Sequence, residues 1–279
     1  MSYSLSELIP VMREAGTLLR EHFEGKHLFA EDQGPLGEGP VTLKGDHELL
    51  LGVDMMSQKL LVDAVRQLHP DYGVYSEEMT NWGEFRTDGR MKFVIDPLDG
   101  THNYHFGIPL WGIAVSLIDG QNHPKAGLIS IPMLDLLVAA DDRETLLHYK
   151  GDVIRARSSQ REALDKALVA YDNQFYRLGA EAMDIYRKLT SRAFTTRITG
   201  SAAFDTAMVT LGKFDARIWN KVEVYDIAAA FPIIRGAGGV VCGFDGRDSV
   251  EIFDGKIAVC GNRPFADRLT SLLGGARAG

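Results

Sequence analysis

Phe93-Val94-Ile95-Asp96-Pro97-Leu98-Asp99-Gly100-Thr101 decides how the rest of the chain is read. An apolar run of strand character leads straight into two carboxylates three residues apart, with Pro97 fixing a bend and Gly100 permitting a tight turn. Both acids can then face one point beyond the end of a strand. Two carboxylates that close repel each other, and one tends to stay protonated unless cations hold both ionised. Hard cations such as magnesium take oxygen ligands of this kind. The plain alternative is a solvated turn, in which Asp and Gly are simply the favoured residues.

Upstream, the run 72–75 leads into Glu77-Glu78, a second acidic pair at a strand end, although a Glu pair is equally at home in a wet loop. Downstream, Asp226 stands immediately before Ile227-Ala228-Ala229-Ala230, as a helix N-cap or as a third carboxylate for the same site. Asp54, also ahead of a helix, carries the same ambiguity. Lys44 lies in the glycine- and proline-rich stretch 31–45, which reads as a loop. It could move in to meet a phosphate or bound metals, or remain a solvated lysine. His22, His102 and His105 lack metal-ligand spacing.

Leu8, Val11, Met12, Ala15, Leu18 and Leu19 fall at helical spacing and mark an opening helix over 5–23. A second helix over 53–68 presents Met55, Leu60, Leu61, Ala64, Val65 and Leu68 as its apolar face, and His69-Pro70 stops it. Short β-like runs follow at 72–75, 91–95, 112–118, 126–131 and 136–140, with Asp119-Gly120 as a hairpin turn. From about Gly151 the pattern alternates: strand 168–171, helices 180–193 and 202–211, strand 216–219, helix 227–235, strands 240–242 and 257–259, and a closing helix after Pro264. The fold class is α/β: an α+β first half, 1–150, with two helices against a largely antiparallel sheet, and an α/β second half, 151–279. The first half is expected to carry most of the metal ligands and the second to complete the site. No Pro/Ser linker separates them, so they are expected to pack as one body with a cleft between.

Composition narrows the function. The 279 residues carry 30 Lys plus Arg against 38 Asp plus Glu, a formal net charge of −8, which suggests no nucleic-acid footprint. An acidic enzyme acting on an anion must neutralise repulsion locally, and metal ions do so. The two cysteines, Cys242 and Cys260, form no CxxC motif and are expected to be free buried thiols. No secretory leader or apolar membrane span is visible, so a cytoplasmic protein with no membrane partner is expected.

Asp96-Pro97-Leu98-Asp99-Gly100-Thr101, followed by Asn103-Tyr104 and Gly107-Ile108-Pro109, resembles the central signature of the inositol monophosphatase family. Glu77-Glu78 matches the family's upstream acidic pair. Tyr225-Asp226-Ile227-Ala228-Ala229-Ala230 with Gly238-Gly239 is similar to its C-terminal signature, Gly200-Ser201-Ala202-Ala203 to a further segment, and residues 44–54 to its N-terminal one. Several motifs in order, across about 5–262, are more specific than any one.

The resemblance implies a layered α-β-α-β-α sandwich, a homodimer, lithium sensitivity and two or three Mg²⁺ ions. By that resemblance Glu77, Asp96 and the Leu98 carbonyl would hold one ion, and Asp96, Asp99 and Asp226 a second. A third would involve Glu77 and water near Asp54. Thr101 would activate water with Glu77, and the N–H groups of Gly100 and Thr101 would receive phosphate. Ser201, Ala202, Trp219 and Lys44 complete the expected substrate contacts. Four positions depart from the family pattern: Tyr225 stands for a tryptophan and Ala230 for a glycine, Leu51 for a threonine, and Trp219 for a glutamate that bonds sugar hydroxyls in inositol-specific members. An indole cannot accept that bond.

The implied activity is hydrolysis of a small polyol, sugar or amino-alcohol phosphate. The alternatives are a nucleotide 3′-phosphate, fructose 1,6-bisphosphate or histidinol phosphate as substrate and, from another class, a non-catalytic regulatory or binding relative. The acidic charge and the lack of an evident basic pocket lean away from bisphosphorylated substrates.

Overall fold

The structure is a computed structural model that describes residues 3–27, 41–45, 48–141, 143–172 and 174–274, with the side chains of 41–45 and 48–50 outside the description. Helix α1 (Ile9–His27) buries Met12, Ala15, Leu19 and Phe23, one stripe at the three-and-four spacing of an amphipathic helix. Helix α2 (Gly52–Leu68) packs beside it and buries Val53, Leu61, Val62 and Val65. Met55 and Leu68, which spacing assigned to its apolar face, are 45% and 43% exposed. The face of α2 that turns inward includes Asp54, Ser57 and Gln58, and it meets the acid-bearing strand through hydrogen bonds as well as apolar contact: Ser57 Oγ donates to Pro97 O at 2.8 Å.

The stretch 31–45 is not loop throughout. Strand β1 (Val41–Gly45) pairs antiparallel with β2 (Glu48–Leu51), Val41 opposite Leu51, while 31–40 lies outside the described residues. Lys44 sits on β1, and its side chain is likewise outside the description.

Among the described residues the first large sheet has seven strands in plain sequence order: β3 (Gly73–Ser76), β4 (Lys92–Asp99), β5 (Gly112–Ile118), β6 (Pro124–Ile131), β7 (Leu136–Ala140), β8 (Thr145–Tyr149) and β9 (Asp152–Arg155). β3 and β4 run parallel and the other pairs antiparallel. The β5–β6 hairpin turns where expected: Asp119 Oδ1 accepts from the N–H groups of Gln121 and His123, both at 2.9 Å. Between β4 and β5, Thr101–His105 forms the short helix α3.

The second sheet has the order β11-β10-β12-β14-β13, built from β10 (Leu168–Tyr171), β11 (Thr195–Arg197), β12 (Ala216–Trp219), β13 (Val240–Gly243) and β14 (Ile257–Cys260). Helix α4 (Phe175–Thr190) is interrupted at Gly179, so its regular part begins at 180. The helix expected over 227–235 is two, α6 (Val224–Ile227) and α7 (Ala230–Gly236). Pro232, in the first turn of α7, has no N–H to give the carbonyl four residues back, so the hydrogen-bond ladder is interrupted between the two helices. Helices α5 (Ala202–Thr210) and α8 (Arg263–Leu273) complete the chain.

These elements stack in five layers, as the resemblance implied. α1 and α2 cover one face of the large sheet; α5, α6 and α7 fill the space between the sheets; α4 and α8 cover the far face of the small one. The middle layer joins both halves of the chain: Ala114, Ile129 and Val138 pack with Ala203, Ala207 and Ile233. Cys242 and Cys260 are buried free thiols on neighbouring strands. Among the described residues no helix is long and apolar enough to cross a membrane.

Candidate active site

The acid run lies on β4 itself rather than beyond its end. Asp96 pairs with Ala114, the register then slips, and Asp99 pairs with Gly112. Pro97 falls in the slipped segment, where the lost N–H breaks the ladder and lets the strand bulge. Asp96 accepts from the N–H of Leu98 at 3.1 Å. The chain turns at Gly100 with φ +86°, where a Cβ would stand 3.0 Å from the Leu110 carbonyl oxygen and 3.2 Å from Ser201 Cβ. Both the left-handed backbone and the close approach call for glycine. Thr101 then opens α3, and its hydroxyl donates to Leu98 O at 3.0 Å.

Asp99 is held from the other half of the chain. Its carboxylate accepts from the N–H groups of Ala202 at 3.0 Å and Ala203 at 2.9 Å, and from the Ser201 hydroxyl. These N–H groups are orphan donors of the first turn of α5, and the positive end of that helix favours an anion. Ser201 is also the N-cap of α5, accepting from Phe204 N at 3.0 Å. Ser201 and Ala202, expected on the substrate, line the cavity but spend their donors on Asp99.

Asp226 is not an N-cap. Glu223 holds that position, and Asp226, three residues on, reaches back to accept the Glu223 N–H at 3.3 Å. Asp54 does the same in α2, accepting from Leu51 N at 2.7 Å. Their settings differ: Asp226 lines the cavity, whereas Asp54 is buried and is absent from its wall. Glu77 follows β3, its N–H donating to Ile95 O at 3.0 Å, and also lines the cavity.

Carboxylate oxygens of Asp96, Asp99 and Asp226 all lie within 4.8 Å of one another. Burial pushes Asp96 well above the usual carboxylate range, and the charges of Glu77, Asp99 and Asp226 push the same way. Asp226 is raised well above it by burial and by Asp99 and Glu77. Asp99 is also raised by burial, but the donors from Ser201, Ala203 and Ala202 and the nearby Arg217 oppose the rise. An all-oxygen set of converging acids that cannot all ionise unaided fits a hard cation.

The cavity, of about 380 Å³, extends from this cluster across β12 to the start of α4. Trp219 was expected on the cleft rather than in the core, and it is both: 2% exposed, packed among core residues, yet part of the cavity wall. An indole in that wall can meet an apolar or a cationic face. The chain supplies a cation itself, since Arg217, two residues earlier on the same strand face, sets its guanidinium 5.1 Å from the indole centroid.

Arg217, Arg177, Asp172, Gln174, Tyr176 and Glu223 line this half of the cavity and escaped the sequence reading, so the expected lack of basic residues is wrong. The period-two spacing of Arg217 and Trp219 on a four-residue strand was the available signal.

The chain matches the inositol monophosphatase family model over residues 3–275. An inositol-1-monophosphatase of Rhizobium meliloti is 29% identical, covering 90% of this chain and 92% of that one. The Nus factor SuhB of Xylella fastidiosa is 28% identical over 88% and 84% of the two chains. A fructose-1,6-bisphosphatase/inositol-1-monophosphatase of Thermotoga maritima is 28% identical over 74% and 75%. Among solved structures, an extragenic suppressor protein suhB of Bartonella henselae superposes with a TM-score of 0.82, 25% identity and 96% coverage of each chain. With an acid cluster on a slipped strand and a match spanning nearly its whole length, this chain belongs to the inositol monophosphatase family.

Proposed function

We propose that the protein is a magnesium-dependent phosphomonoesterase acting on the phosphate ester of a small alcohol. The observation that carries this reading is the convergence of Asp96, Asp99 and Asp226 beside Glu77 at one end of a cavity roomy enough for a small ester. In this reading Asp96, Asp99 and Asp226 hold metal, joined by Glu77 and the carbonyl of Leu98. Bound magnesium supplies positive charge for the phosphoryl oxygens and the departing alkoxide, and lowers the pKa of water.

The remaining roles belong to the chain. Glu77, with the Thr101 hydroxyl, orients a water and takes its proton. The N–H groups of Gly100 and Thr101, fixed by the turn, receive a phosphoryl oxygen without a side chain. Water adds to phosphorus as the phosphorus–oxygen bond to the alcohol breaks, and the alkoxide leaves with a proton, so ester plus water becomes alcohol plus inorganic phosphate. Three donors from the start of α5 favour the charged form of Asp99 against the effect of burial, which couples the second half of the chain to the metal end.

The test is phosphate release from a panel of monoesters with magnesium, with excess chelator, and with calcium in place of magnesium. Turnover is expected with magnesium, none in chelator, and inhibition by calcium, whose longer and looser coordination spoils an octahedral site. Full turnover in chelator would remove the metal from the account. No turnover of any ester under any of these conditions would favour a non-catalytic relative.

A further inference from the structure

The cavity wall holds two donor side chains with an unpartnered N–H, beside the carboxylates of Asp172 and Glu223. Arg217 is only 4% exposed, yet it lines the cavity, and its Nη1 has no hydrogen-bond partner. Its Nε lies 3.3 Å from Asp205 Oδ2, close enough for charge balance, but neither atom makes an aligned hydrogen bond. The indole Nε1 of Trp219, buried in the same wall, is likewise unpartnered. Buried donors without acceptors are costly and uncommon, and here two of them stand on one face of β12. Asp205, wholly buried on α5 and bonded by the Thr199 hydroxyl at 2.7 Å, holds the guanidinium in place.

A polyol would offer hydroxyls to this wall, each both donor and acceptor. A planar guanidinium bonds carboxylate or phosphate oxygens far better, because the bonds are charge-assisted. We infer that Arg217 and Trp219 form a receptor for a second anionic oxygen group, so that the preferred substrate is the phosphate ester of an alcohol that also bears a carboxylate or another phosphate. This rests on the phosphomonoesterase reading. It names the group that the alcohol half selects.

The experiment compares kcat/KM for matched esters: 3-phosphoglycerate against glycerol 3-phosphate, which differ by a carboxylate for a hydroxymethyl, and fructose 1,6-bisphosphate against fructose 1-phosphate. At least one pair is expected to favour the anionic member by about tenfold or more. The first pair reports a carboxylate as the second group, the other a phosphate. Arg217→Gln should bring the favoured ratio close to one, chiefly through KM. Because that side chain is buried, Trp219→Phe provides a milder probe that keeps a ring in place and removes one donor, and it should lower the ratio about fivefold. Hydrolysis of all four esters with neither ratio above one overturns the inference and leaves the phosphatase reading standing. Hydrolysis of none overturns both. A ratio unchanged in two folded variants also overturns the inference.

Discussion

At the residue scale, the acid run could be read directly because its logic is local: two carboxylates, a proline and a glycine within six positions. What holds Asp99 could not be read, since its partner Ser201 is 102 residues away. That contact sets the expectation for Asp99→Asn. An amide has only one oxygen to accept the three donors of the α5 terminus, so Asp99→Asn should lower thermal stability as well as activity. Ser201→Ala removes both the N-cap of α5 and one donor to Asp99. It should cost about 1 kcal/mol of stability by denaturant unfolding and reduce kcat, and unchanged values for both would show that Ser201 is an idle lining residue.

At the scale of elements, strands with a clear period, such as β5 and β12, fell at their expected bounds, while the helix expected over 227–235 failed on a single residue, Pro232. β9 was missed because it is the edge strand and all four of its residues are exposed, which leaves no buried face to set an alternation, and β8 beside it was missed with it. The turn from β4 into α3 is the element on which the proposed phosphate contacts depend. Gly100→Ala must place a side chain in the left-handed region, at a cost of roughly 1–2 kcal/mol, and against the Leu110 carbonyl. Urea unfolding and kcat measured on the same preparation should both fall. Activity kept at full value would mean that the backbone N–H groups of this turn do not serve the reaction.

At the scale of the molecule, the five-layer stack was legible from the family resemblance, and each half from its own periodicity. The way the two halves share a site was not, because it depends on packing between distant segments. A shared, acid-rich site makes stability depend on pH and on metal. The folded-state pKa values of Asp96, Asp99 and Asp226 are raised above the unfolded value of 3.8, and that of Asp205 is raised to about 7, so each of these groups favours the folded state in its protonated form. Their contribution is complete below the unfolded pKa and is lost as pH rises through the folded values. The melting temperature in chelator should therefore fall relative to that in magnesium as pH rises from about 5 to about 8. A gap between the two that narrows with rising pH would contradict the placement of these acids around a cation.

The claim on which the whole account rests is that Asp226 is a metal ligand rather than a helix-terminal acid. Asparagine can occupy its position in α6 and keep the bond to the Glu223 N–H, but it removes the charge. The direct measurement is magnesium-dependent phosphate release by purified Asp226→Asn beside wild type, with thermal unfolding of both in chelator. Turnover is expected to fall by roughly a hundredfold or more, with a melting temperature in chelator no lower than that of wild type, because one half-buried acid that crowds Asp96 and Asp99 is gone. Wild-type turnover with reduced stability would contradict it and return Asp226 to a purely structural role.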